Sequence, residues 1–178
     1  MKLFKNLLFI TLISLLSVNN LKAEDKVAYL NIDFILTNTL AGKSLLSKLK
    51  KEEELKISEF KSSDEDFKNE EKKILDKKNL ISKEEISKEM KTLQVKFKKY
   101  RKNKANEIAD LKTKRNRNII NFLNSINPII EKYMADNSIY MLIDKKNVFI
   151  ANKNYDITKK LIELIDNQIK TVEIKWLV

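Results

Sequence analysis

At 178 residues, with 34% of positions charged and a formal net charge of +11, the chain has room for one modest domain with a basic surface. It contains no cysteine, no histidine, one glycine and one proline. Thiol catalysis, zinc centres, glycine-rich phosphate loops and Ser-His-Asp triads are thereby excluded, and the commonest general base is missing. Lysine and carboxylate catalysis stay open in principle, but no spacing points to them. The chain is read as a non-enzyme with no cofactor and no metal.

The first element is an address. Met1-Lys2-Leu3-Phe4-Lys5 precedes an apolar run over residues 7–18, and Ala23 stands before Glu24-Asp25. A basic start, a short apolar core and a small residue before an acidic pair match a secretory signal peptide over residues 1–23. The run is short for a membrane span of about 20 residues. Leu21 stands where a small residue is usual, so an uncleaved anchor is the alternative. No cysteine marks a lipoprotein site. Loss of Lys2, Lys5 and Lys22 lowers the net charge to +8.

Next comes Lys26-Val27-Ala28-Tyr29-Leu30-Asn31-Ile32-Asp33, a strand pattern. From Lys43 to Asn127 no Pro or Gly interrupts the chain, which predicts a long helical hairpin. The first helix is expected from about residue 39 to 79. Leu46, Phe60, Phe67, Ile74 and Ile81 recur along it at multiples of seven, while the intermediate Lys56, Ser63, Glu70 and Lys77 are polar. That is half of a coiled-coil seam. The turn is placed near residues 80–82, where Ser82 and Glu85 have capping-box spacing for the return helix.

The return helix carries Ile86, Met90, Leu93, Phe97, Tyr100, Ile108 and Leu111 at spacings of three and four, with Lys104 and Arg115 filling two seam positions. Its apolar content rises over residues 119–134, and Pro128 is expected to kink it there. An arm of roughly 40 residues spans about 60 Å. Two apolar runs around Asp144-Lys145-Lys146-Asn147 predict a β-hairpin, residues 139–143 with 148–151. Asp156 is the candidate N-cap of a last amphipathic helix burying Leu161, Ile162, Leu164 and Ile165. So small a body cannot close itself, and sharing it between protomers is the simplest remedy.

Taken in order, these pieces resemble the Skp/OmpH family of periplasmic chaperones. The resemblance rests on Val27-Ala28-Tyr29-Leu30-Asn31, Ala41-Gly42-Lys43, the charged hairpin, Leu142-Ile143-Asp144, Val148-Phe149-Ile150-Ala151 and, most specifically, Asp156-Ile157-Thr158. It implies an α+β, mostly α fold: a β-body (residues 24–38 and 135–178) shared in a homotrimer, with a hairpin arm over residues 39–134 from each subunit. It also implies an ATP-independent holdase for unfolded outer-membrane proteins in the periplasm of a Gram-negative bacterium. Val27, Tyr29, Leu142, Phe149, Ile119, Phe122 and Ile126 are the candidate trimer-body residues. A lipopolysaccharide contact is proposed in the family, but its residues do not map onto this sequence and none is carried over. The tail over residues 171–178 departs from the family pattern, with its role open.

Net charge over residues 68–104 is +8, equal to that of the whole chain after Ala23. This outer-arm excess is either a solvated helix face or a capture surface for acidic clients and anionic lipid. Lys96, Lys98, Lys99, Arg101 and Lys102 are its candidates. Phe60, Phe67, Phe97 and Tyr100 lie among the charges, either as seam packing or as intermittent contacts for the apolar stripes of barrel strands. A basic nucleic-acid binder is disfavoured by the export signal and by the lack of a base-reading motif. A structural coiled-coil envelope protein is the other alternative.

Overall fold

The computed structural model describes residues 26–174. The signal-peptide reading and the end of the tail, residues 175–178, lie outside the described residues. Six elements follow in chain order: β1 (Lys26–Leu30), α1 (Ile32–Asn38), α2 (Leu40–Asp76), α3 (Lys83–Asp136), β2 (Ile139–Asp144) and α4 (Thr158–Gln168).

Local chemistry sets most of the boundaries. Asn31 ends the strand early because its side chain accepts the Phe34 N–H at 2.9 Å and starts α1. Residues 32–38 are therefore helical, and the strand read over Lys26–Asp33 stops at Leu30. The Thr39 hydroxyl accepts the Gly42 N–H at 3.1 Å, donates to the Ile35 carbonyl at 2.9 Å and starts α2. The Ser82 hydroxyl and the Glu85 carboxylate satisfy each other's backbone N–H groups in a full capping box. At 37 and 54 residues, α2 and α3 are about 56 Å and 80 Å long. α3 runs unbroken through Pro128, which lies on an exposed face of the helix.

The sheet corrects one expectation. β2 does not form a hairpin with residues 148–151; it pairs in parallel with β1, Ala28 opposite Leu142 and Tyr29 opposite Ile143. Asp144 accepts the Lys146 N–H at 3.3 Å and caps a helical turn over Lys145–Asn147, which carries the chain away from the strand. Residues 148–151 form no strand, and Phe149 and Ile150 are exposed. Asp156 reaches across instead, bridging to Tyr29 while its carboxylate takes the N–H and hydroxyl of Thr158 at the start of α4. The N-cap position itself is Ile157, one residue later than the spacing suggests.

One core ties sheet, arm root and closing helix together. Phe122 and Ile126 of α3 are covered by Leu45 and Leu49 of α2, Ile35 of α1, and Leu161 and Ile165 of α4. Ile162 and Leu164 are only half-buried at its margin.

Candidate functional site

The arm's apolar seam is sparse and is interleaved with ion pairs. Buried side chains between its helices are few: Phe60 and Ile74 on α2 and Leu93 on α3. Phe67, Phe97 and Tyr100 add an aromatic cluster, with Phe67 5.2 Å from Phe97 and 5.1 Å from Tyr100 between ring centres. The polar seam positions are not gaps, because each of several carries an ion pair across the hairpin. Lys56 reaches Glu107 at 3.4 Å, Glu70 takes Lys96 at 2.8 Å, and Lys77 meets Glu89 at 3.0 Å. The two cations of the return helix follow suit, Lys104 on Asp64 at 2.7 Å and Arg115 on Glu53 at 3.7 Å.

The densest of these contacts surrounds Asp64. The Tyr100 hydroxyl donates to it at 2.9 Å and stands 3.0 Å from the Phe60 carbonyl. Lys104 lies over the Phe60 and Tyr100 rings at 5.3 and 5.6 Å. Lys104 first, then Tyr100, hold the Asp64 carboxyl below its ordinary value; Asp64 in turn raises Lys104. Burial first, then Asp64, raises Tyr100.

Of the candidate contact residues, Phe60 is buried, Phe67 and Tyr100 are half-buried and Phe97 is partly exposed with Arg101 over its ring at 5.9 Å. Lys96 is paired. Lys98, Lys99 and Lys102 are exposed and carry no ion pair among the described residues.

Along the inner half of the arm the apolar seam gives way to a cleft bridged by ion pairs. A groove of about 920 Å³ runs from Leu49 to Asp64 on one side and from Lys104 to Arg115 on the other, with Ile57, Ile108 and Leu111 in its walls. The sequence holds a trace of it, since Ile108 and Leu111 have no apolar partner at heptad spacing in the first helix.

At the other end, apolar side chains of the sheet and of the segment after it stand in water. Val27, Tyr140, Met141, Phe149 and Ile150 are exposed, Phe149 completely so. A second groove of about 580 Å³ lies there, bounded by Val27, Tyr29, Ile143, Val148, Ile150 and Tyr155. Tyr29 is itself buried, with Lys145 5.9 Å from its ring centre. Leu142 and Ile119 pack half-buried against the core. Phe122 and Ile126, at 0% and 2% exposure, sit inside the subunit's own core.

Residues 26–165 match the OmpH family, described as outer membrane protein (OmpH-like). The chain belongs to this OmpH-like family. Its fold matches a crystal structure of an OmpH-like candidate outer membrane chaperone from Caulobacter crescentus, with a TM-score of 0.75 and 21% identity over 83% of this chain and 87% of that one. No curated protein matches. The OmpH-like fold is thus a mostly helical α+β one, a long antiparallel hairpin on a small parallel sheet.

In this OmpH-like arm the Asp64 cluster sets a pH window. A depressed carboxyl stabilises above the ordinary carboxylate range, and that contribution is lost as pH falls through its lowered value. Tyr100, raised above 10.0, is neutral and stabilising below that value and loses its contribution as pH climbs past it. Amide protection factors in residues 57–70 and 93–104, corrected for the intrinsic pH dependence of exchange, are expected to hold across neutral pH and to fall at both extremes. Asp64→Asn should lower them at neutral pH and remove the acid limb. Unchanged exchange in that variant would show that the cluster does not hold the arm.

Proposed function

We propose that the chain is an ATP-independent periplasmic holdase that works as a homotrimer and shields unfolded outer-membrane barrels during transit. The observation that carries this reading is the arm: a thin hairpin, projecting well beyond the body's core, whose outer half bears a net charge of +8. Family membership supports a role in outer-membrane protein handling. The exposed apolar sheet face supports self-association, since monomers rarely leave so much apolar surface together. The unpaired strand edges beside it favour further strands from other subunits. Weak contacts from three arms would reinforce one another through effective concentration, and anionic lipid is a secondary ligand of the same charge.

The test begins with the chain from Glu24 onward. Its oligomer mass is measured, and a urea-unfolded barrel is diluted into it at low and moderate salt. A trimer that suppresses barrel aggregation at stoichiometric ratio is expected. A monomer, or no suppression, would sink the proposal and leave the structural coiled-coil reading, which the ion-pair ladder along the arm favours.

Charge capture is tested separately. Lys98→Gln, Lys99→Gln and Lys102→Gln together remove exposed cations without breaking the Lys96–Glu70 pair or the Arg101–Phe97 contact. Steering of this kind changes encounter rates by about 10- to 1000-fold over a whole surface, so a loss of about threefold to tenfold in capture rate is expected at low salt. Trimer mass should not move. If the rate and its salt slope both stay put, the charge serves solubility alone.

A further inference from the structure

The arm is not packed evenly along its length. On α2 no side chain between Leu49 and Phe60 is buried, a run about 16 Å long. On α3 none is buried between Tyr100 and Asn118. This inner stretch lies between two better-packed ends. Towards the body, Leu49 belongs to the core around Phe122. Towards the tip, Phe60 is buried, and the Tyr100 hydroxyl and the Lys104 ammonium both reach Asp64, at 2.9 and 2.7 Å.

The seam between these ends is charged. Glu53 and Lys56 stand at two successive seam positions of α2 and meet Arg115 at 3.7 Å and Glu107 at 3.4 Å. The four side chains are between 35% and 55% exposed, so salt screens both pairs. It does not screen the apolar contacts at either end. Glu59, 2.6 Å from Lys56, and then Glu107 raise the Lys56 ammonium above its ordinary value, so its charge is secure in neutral water. The single glycine and the single proline, Gly42 and Pro128, lie outside the stretch. A sharp kink therefore has no cause here, and the movement open to the stretch is separation of its two helices.

We propose that this stretch is a salt-sensitive gate. With both ion pairs made, it is closed and the arm is one rod. When salt screens them, residues 50–59 and 105–117 part as a local bubble, and Ile57, Ile108 and Leu111, which line the cleft, turn more of their apolar surface to water. The aromatic seam and the body core stay closed. A helical stretch of this length is not stable alone, so the parted segments also lose backbone protection. The proposal stands apart from the holdase reading, because it concerns contacts within one subunit and is tested without client.

Amide protection factors along the arm are compared at low and moderate sodium chloride. Those of residues 50–57 and 106–116 are expected to fall severalfold as salt is added, while those of residues 67–75 and 89–97 hold. At low salt, Arg115→Gln and Lys56→Gln should each lower protection in the inner stretch by about twofold to fivefold, the range of exposed ion pairs. Glu53→Arg combined with Arg115→Glu re-forms the pair with its signs exchanged and should restore protection, which a space-filling role for Arg115 would not do. The absence of cysteine allows a second measurement. Leu111→Cys should react with an uncharged thiol reagent severalfold faster at moderate than at low salt, relative to a free thiol, whereas Leu93→Cys, buried in the outer seam, should not. A salt effect of equal size in the outer seam, or none in the inner stretch, overturns the proposal. So does a sign-exchanged pair that fails to restore protection, or a Leu111→Cys rate that salt leaves unchanged.

Discussion

Phe122→Ala is expected to lower the unfolding temperature by roughly 10 °C or more, at a cost of about 3–5 kcal/mol. The ring is fully buried where α3 meets α1, α2 and α4, so its removal leaves a void lined by residues from four elements. A domain of this size has about 5–15 kcal/mol in all, and Phe122 belongs to the buried cluster that ties sheet, arm root and closing helix together. The rigid helical walls cannot collapse into the gap, which places the cost towards the upper part of the range. Thermal unfolding followed by circular dichroism, at equal subunit concentration for each variant, checks it. Ile120→Ala, two residues away on an exposed face, should change stability by no more than about 0.5 kcal/mol. Similar small shifts in both variants would mean that the body's packing does not control folding.

Gly42→Ala is the second. In an ordinary helix interior this change stabilises by about 1 kcal/mol, because alanine loses less backbone entropy. Here the sign should reverse. A Cβ at Gly42 would lie 2.0 Å from the Leu36 carbonyl oxygen and 2.8 Å from the Thr39 hydroxyl oxygen. The oxygen belongs to backbone and cannot swing aside, so the end of α1 must move off α2. That strains the Thr39 cap, worth about 0.5–2 kcal/mol, and the packing of Ile35 and Leu36 behind it. Overpacking of this kind costs about 1–3 kcal/mol. Urea unfolding should therefore show a lower midpoint with an unchanged slope. A midpoint equal to or above wild type would show that α1 is free to slide and that the close approach has no structural weight.

Asp156 shows the reach and the boundary of sequence patterns here. Its position before an amphipathic run marks a helix start, and its carboxylate does take the Thr158 N–H and hydroxyl. Burial works against its charge, yet Thr158 and then Lys145 more than offset this and hold it below its usual range. That Asp156 also bridges to Tyr29, so that one residue closes the helix onto the sheet, depends on a strand 127 positions away and has no local signal. The arm repeats the lesson. Phe60, Phe67, Phe97 and Tyr100 are legible as a seam because helical spacing is periodic. The pairing of Lys56 with Glu107 or Asp64 with Lys104 is not, because it requires the register of two helices joined by a distant turn.

The sequence by itself determined the two long arm helices and the closing helix, the cap at Ser82, the turn between the arm helices and the charge at the tip. Each is governed by interactions within one or two helical turns, or by composition alone. Only the tertiary structure decided that β1 pairs in parallel with β2, that residues 148–151 are left exposed rather than paired, and that the half-apolar seam is completed by ion pairs and then opens into a groove. A strand's alternation says that it will pair but not with what. β1 and β2 meet across the whole length of the arm, and that choice rests on the core around Phe122 drawing both ends of the chain to one place.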